Sequence, residues 1–201
     1  MIFKGIGVEE ESPSLAIASC LLKLLPACLA GRSIQQFQVS SKKFRAHRAV
    51  LAARSPVFKA LLFGPMKDAE TACIKLHNIK PATFKVMLRF MYTDSLPRDE
   101  EIKSSSIIDL FQNLLAAADM YHLDRLKLLC AQKLWEHLSA ETVATVLGCA
   151  EKHNCAELKN SCLDFFVVEK NFKNAVLTQD YSQLMQSFPC VIDEIRARLQ
   201  K

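Results

Sequence analysis

The sequence predicts an α+β chain: a small mixed part built on short strands, then an all-helical extension. Three observations carry this. Segments alternating apolar and polar residues fall in the first eighty residues, whereas from Ile107 onward apolar residues recur at helical spacing. Only five Gly and seven Pro in 201 residues, with aromatics at 8%, favour helices over a sandwich or barrel. Half of the residues are hydrophobic and 23% are charged, which is ample material for a core and argues against a disordered chain.

The elements follow in order. Residues 1 to 12 read as a loose leader. "LAIASCLLKLLPACLAG" reads as an amphipathic helix: it follows Glu9 to Glu11 rather than a basic region, and Lys23 and Pro26 interrupt it. It is therefore neither a secretory leader nor a bilayer span. In "FQVSSKKF", Phe37, Val39 and Phe44 flank a polar, turn-like centre, the pattern of a short hairpin. "HRAVLAAR" is helix-forming, and Ser55-Pro56 restarts the helix. Serine caps exposed N–H groups, and proline at the first position gives up only an N–H that had no partner. Val50, Leu51, Val57 and Phe58 are expected to face inward, and Phe58, Leu61 and Leu62 form an apolar face that Gly64-Pro65 ends.

"CIKLHNI" alternates with a period of two and reads as a half-exposed strand. Pro81 opens a helix with Phe84, Met87, Leu88 and Met91 on one face, and "TDSLPRDEE" is a polar connection ahead of "KSSS". "IIDLFQNLLAAADMYHL" is apolar over most of its circumference, so it is expected as a central buried helix. "DRLKLLCAQKLWEHL" places Leu126, Leu129, Cys130 and Leu134 on one face. Two further helices carry Val143, Val146, Leu147 and Ala150, then Leu158, Cys162, Phe165 and Phe166. "VIDEIRARL" closes the pattern with Val191, Ile192, Ile195 and Leu199.

The formal charge of +5 is spread from Lys4 to Lys201 without a basic tract. A nucleic-acid partner is not expected, because such affinity comes from concentrating positive charge against adjacent phosphates. Among the eight cysteines, Cys130, Cys149 and Cys162 lie within apolar helical runs, and the set reads as small core hydrophobes in a reducing compartment, not as a disulfide framework. Cys149, His153 and Cys155 are the sharpest metal candidates, yet they lack the Cys-x-x-Cys knuckle and matching second half of structural zinc. No Gly-x-Ser-x-Gly elbow or Gly-rich phosphate loop is present. Asp109, Asp119 and Asp124 read as caps or solvated faces, and His47 as a hydrogen-bonding residue at a helix mouth. No catalysis, cofactor or metal is expected.

"FRAHRAVLAARSPVFKALLFGPMKDA", "FKVMLRFMYTDSLP", "LLAAADMYHLDRLKLLC" and "VATVLGCAEKHNCAELKNSCLDFF" occur in this order over roughly residues 34 to 199. Together they resemble a BTB/POZ domain with its helical 3-box or BACK extension, as in plant MATH–BTB proteins and the animal speckle-type POZ group. The resemblance implies a small sheet flanked by helices, then helical pairs. It divides the chain into a leader (1–33), a BTB/POZ domain (34–137) and a BACK-like extension (138–201). His47, Ser55, Pro56 and Phe58 fall on the structural motif of that fold.

Such proteins dimerise and dock on cullin-three as substrate adaptors of a ubiquitin ligase. Carried over by position, the cullin-facing hydrophobic-x-acidic motif falls at Met66-Lys67-Asp68, Tyr92 is the aromatic of the same surface, and Met120 and Leu123 lie in the matching helix turn. The chain departs from the pattern at three points. Asp68 stands where the motif usually has Glu. Ile34 and Gln35 replace the Asp-Val that opens the first strand at the dimer-interface region. The residues ahead of the BTB part are also too few for the substrate-reading MATH domain. The expected function is a non-enzymatic adaptor, or a modulating partner of other BTB proteins, in nucleus or cytoplasm and without a membrane. The alternatives are an oligomerisation module in transcription and a truncated copy without function.

Overall fold

The computed structural model describes residues 34–64, 71–98, 102 and 107–200. The expected leader helix, Met66 and Asp68 lie outside them. Among the described residues are three strands and ten helices. They divide into two compact units, one holding residues 34–98 and 117–126, the other residues 107–116 and 127–200.

The first unit is organised on its sheet. Strands β1 (Ile34–Val39) and β2 (Lys42–His47) form an antiparallel hairpin with Phe37 opposite Phe44 and Ile34 opposite His47. The turn between them takes a left-handed Ser40, φ 52°. Helices α1 (Arg48–Arg54) and α2 (Pro56–Phe63) then carry the chain across to β3 (Cys73–Leu76), which pairs with β1 in parallel, giving the order β2-β1-β3. A parallel pair needs such a crossover. The central β1 buries Gln35, Phe37 and Val39 on alternate positions. Phe37 packs at 5.8 Å against both Phe58 and Phe84, and Phe44 meets Phe84 edge-on at 5.0 Å.

Local chemistry sets the helix ends. Ser55 is extended (φ −139°, ψ 122°), so α1 cannot run on into α2. Gly64 is the C-cap of α2, in an extended conformation where a Cβ would run into the Ala60 carbonyl oxygen. Helix α3 (Pro81–Thr93) ends on a left-handed Asp94, φ 55°. Helix α4 (Ile107–Met120) stops three residues short of the apolar run. His122 turns left-handed (φ 49°), its N–H bonds the Asp119 carbonyl, and the Leu123 N–H bonds that of Ala118. This is a Schellman end, and α5 (Asp124–Glu136) starts directly after it.

Burial refines the expected faces. Leu51 and Phe58 are fully buried, but Val50 and Val57 are only half-buried, and Ala49, Ala52 and Leu62 take the inner positions. On α3, Phe90 is buried and Leu88, one residue round the helix from Met87, sits on the flank.

The second unit is helical. Helices α6 (Val143–Lys152) and α7 (Ala156–Phe166) form a hairpin whose turn repeats the Schellman geometry at Asn154, φ 50°. Helices α8 (Glu169–Ala175), α9 (Gln179–Ser187) and α10 (Pro189–Leu199) follow. Its core holds Leu114, Leu134, Val146, Leu147, Phe166 and Ile195. Phe165, expected in that core, is half-buried against Trp135, and Leu199 is 44% exposed at the helix end. Among the described residues no helix is long and apolar enough to cross a membrane.

Candidate protein-interaction site

The sequence singles out five partner-facing residues. Met66 and Asp68 lie outside the described residues; Tyr92, Met120 and Leu123 all belong to the first unit, as do His47, Ser55, Pro56 and Phe58. The segment His47–Ser55 reaches both groups.

At its start, His47 ends β2 and precedes α1 in an extended conformation that makes no side-chain cap. Its backbone N–H donates instead to the Tyr92 hydroxyl at 2.7 Å, and its Nδ1 lies 3.0 Å from the same oxygen. Tyr92 is half-buried near the end of α3, with its ring tilted 62° to the imidazole.

At its far end, Arg54 pairs with the carboxylate of Asp94, which also takes the Arg125 Nε at 3.0 Å from the first turn of α5. The Asp94 side chain is only 5% exposed, and Arg54 lies 5.5 Å above the Phe90 ring. A single buried carboxylate therefore ties α1, the end of α3 and the start of α5 together. Sequence reasoning placed Asp94 in a polar connection. The signal available was an Asp, a residue that tolerates left-handed backbone, directly behind a helical run.

Ser55 completes the anchoring. It is 1% exposed; its Oγ accepts from the Phe58 N–H at 3.1 Å and donates to the Tyr121 carbonyl at 2.6 Å. The Phe58 ring stacks on the Tyr121 ring at 4.6 Å, and burial raises the Tyr121 phenol above its ordinary value. Tyr121 sits beside Met120, which is 45% exposed. Leu123 is 5% exposed, so it shapes the turn from inside while Met120 is the side chain open to a partner.

At the strand that opens the fold, the Gln35 amide is buried and satisfied. Its Nε2 donates to the Thr71 carbonyl at 2.8 Å, and its Oε1 accepts from Arg48 Nη1 at 3.3 Å. Arg48 also donates to the Leu62 carbonyl and lies 5.0 Å above the Phe63 ring. The preceding Ile34 is 38% exposed.

The cysteine–histidine candidates lie in the second unit. The Cys149 thiol points to the Gln112 carbonyl at 4.0 Å, His153 is the C-cap of α6, and Cys155 is buried at the N-cap of α7. Burial, then the neighbouring Cys155 thiol, pushes Cys149 up to about 11, so it stays protonated at neutral pH. Among the described residues no group of three or more His, Cys, Asp or Glu side chains is placed to hold a metal ion. The same unit has an open groove of about 660 Å³ with Gly148, Cys149, Leu184 and Phe188 in its walls.

Residues 35–138 match the BTB/POZ domain family, and residues 142–196 match the BPM/SPOP BACK domain. BTB/POZ and MATH domain-containing protein 3 of Arabidopsis thaliana is 42% identical over 163 residues, covering 79% of this chain and 40% of that protein. Protein 6 of the same series is 33% identical over 193 residues, covering 91% and 45%. The mouse TD and POZ domain-containing protein 4 is 36% identical over 156 residues, covering 78% and 40%. The chain thus spans less than half the length of these relatives. Among solved structures, the BTB domain of zebrafish PATZ1 is similar at 24% identity and a TM-score of 0.43, covering 61% of this chain and 94% of that one.

Proposed function

Because the chain belongs to the BTB/POZ family and carries a BPM/SPOP-type BACK domain behind its BTB domain, we propose that it is a protein-interaction adaptor that docks on cullin-three in a ubiquitin ligase. The observations that support this reading are a half-buried Tyr92, whose hydroxyl takes the His47 N–H, and an exposed Met120 next to Tyr121, whose carbonyl takes the Ser55 hydroxyl. Aromatic and Met side chains on a rigid support are the composition of interface anchors. Met66 and Asp68 supply the hydrophobic-x-acidic part of the surface, with Asp68 reaching one methylene less far than the usual Glu. The chain pairs with itself or with other BTB proteins through the β1 region. There, buried Gln35 accepts from half-buried Arg48, and Ile34 offers apolar surface in place of the acid. It works without catalysis, in nucleus or cytoplasm, where the thiols of Cys130, Cys155 and Cys162 remain reduced.

The test is binding of the cullin-three N-terminal region to the wild type and to the double variant Met66→Glu/Tyr92→Ala. Loss of binding with an unchanged circular dichroism melt supports docking through this surface. Equal binding by the double variant contradicts it.

A further inference from the structure

His47 and Tyr92 meet through two polar contacts on one oxygen. The Tyr92 oxygen accepts the His47 backbone N–H at 2.7 Å, which leaves the hydroxyl's single proton to be donated elsewhere. Among the described residues, His47 Nδ1 lies in reach at 3.0 Å. With the hydroxyl as donor the ring proton of the imidazole sits on Nε2; in the other tautomer Nδ1–H would donate to the same oxygen, and nitrogen NMR separates the two. Backbone and side chain of one residue thus grip one oxygen.

Among the described residues no other side chain is shown bonding this imidazole. His47 is exposed, so its ring contributes little to the core. It stands at the N-cap of α1 yet makes no capping bond, where Ser, Asp or Asn would serve the helix better. Among the described residues its polar side-chain contact is with Tyr92. That tyrosine is half-buried, so its ring needs a fixed tip to hold one orientation at the surface.

We propose that His47 is a positioning residue that pre-sets the partner-facing orientation of Tyr92 through its Nδ1. This rests on the reading of Tyr92 as a cullin-three contact. Pre-setting an interface side chain improves affinity by lowering the ordering cost of binding.

The experiment measures calorimetric binding of the cullin-three N-terminal region to wild type, His47→Ala, His47→Asn, Tyr92→Phe, Tyr92→Ala and the double variant His47→Ala/Tyr92→Phe. Asparagine carries its Oδ1 near the place of Nδ1 and keeps the acceptor. His47→Ala is expected to weaken binding roughly three- to tenfold, the scale of one hydrogen bond. His47→Asn should restore most of it, and the loss should vanish in the Tyr92→Phe background. Independently of binding, ¹⁵N NMR should show the Nε2–H tautomer of His47, and the Nδ1 signal should move in Tyr92→Phe. Wild-type binding by His47→Ala, with Tyr92→Ala still weakened, overturns the positioning role and leaves the docking surface standing. A His47→Ala loss that persists in Tyr92→Phe, or that His47→Asn does not relieve, also overturns it. Binding untouched by Tyr92→Ala overturns the contact itself and the positioning role with it.

Discussion

Ser55 donates its hydroxyl proton to the carbonyl of Tyr121 across 66 residues of chain, while the same oxygen caps α2 at Phe58. The cap alone is worth about 1 kcal/mol. Removing the hydroxyl also strands a buried carbonyl, at roughly 1–2 kcal/mol more. Ser55→Ala should therefore lower the unfolding free energy by roughly 2–3 kcal/mol in urea denaturation. A loss near 1 kcal/mol would mean that the Tyr121 bond contributes nothing.

Asp94 makes a sharper case, because one carboxylate serves two arginines. Arg54 is 17% exposed and Arg125 47%, so the first pair is the less screened. Asp94→Ala is expected to cost roughly 3 kcal/mol, as for breaking a buried pair. Arg54→Ala should cost more than Arg125→Ala in the same denaturation series. The reverse order would place the anchoring at α5 instead of α1.

The cysteines give a prediction in pH. Burial raises the thiols of Cys149 and Cys162 to about 11 and about 12. Their folded values lie above the unfolded one, so their contribution is full below the unfolded value near 9. It is lost as pH rises through the folded values. Stability should fall progressively from about pH 9 upward. At pH 8, a thiol reagent should label exposed Cys190 well before Cys130, Cys155 and Cys162, as peptide mapping would read. Equal labelling rates would contradict the packing of α5, α6 and α7.

Gly148 lies inside α6, where glycine costs about 1 kcal/mol relative to alanine. An added Cβ would meet Leu184 Cδ1 at 3.4 Å and Phe188 Cε2 at 3.5 Å, which is contact without a clash. Gly148→Ala is expected to raise the unfolding free energy by roughly 0.5–1 kcal/mol. Destabilisation would show that Leu184 and Phe188 cannot yield the last tenths of an ångström.

The particular residues show what was legible in the sequence. The hairpin, the Ser55-Pro56 restart and the Pro81 helix follow from local rules of turn, cap and period, and the structure bears out each. Helices α8 and α9 did not show, because each is short and buries a single residue, Ala175 and Leu184, although Tyr181, Leu184, Met185 and Phe188 recur at helical spacing along α9 and past its end. The end of α4 at Met120 was also hidden, since His122 takes a left-handed turn that histidine seldom advertises. At the site, resemblance picked out Tyr92 and Met120. The bond from His47 to Tyr92, that from Ser55 to the neighbouring Tyr121, and the Arg54–Asp94–Arg125 tie are long-range polar pairings that periodicity does not encode.

The most direct measurement is a calorimetric titration of the cullin-three N-terminal region into the full chain, repeated with Met66→Glu/Tyr92→Ala. Docking through the Tyr92–Met120 surface requires saturable binding by the wild type and a loss of about tenfold or more in the variant, with both chains melting alike. No saturable binding by a folded wild type, or equal affinity for both chains, would contradict the adaptor role.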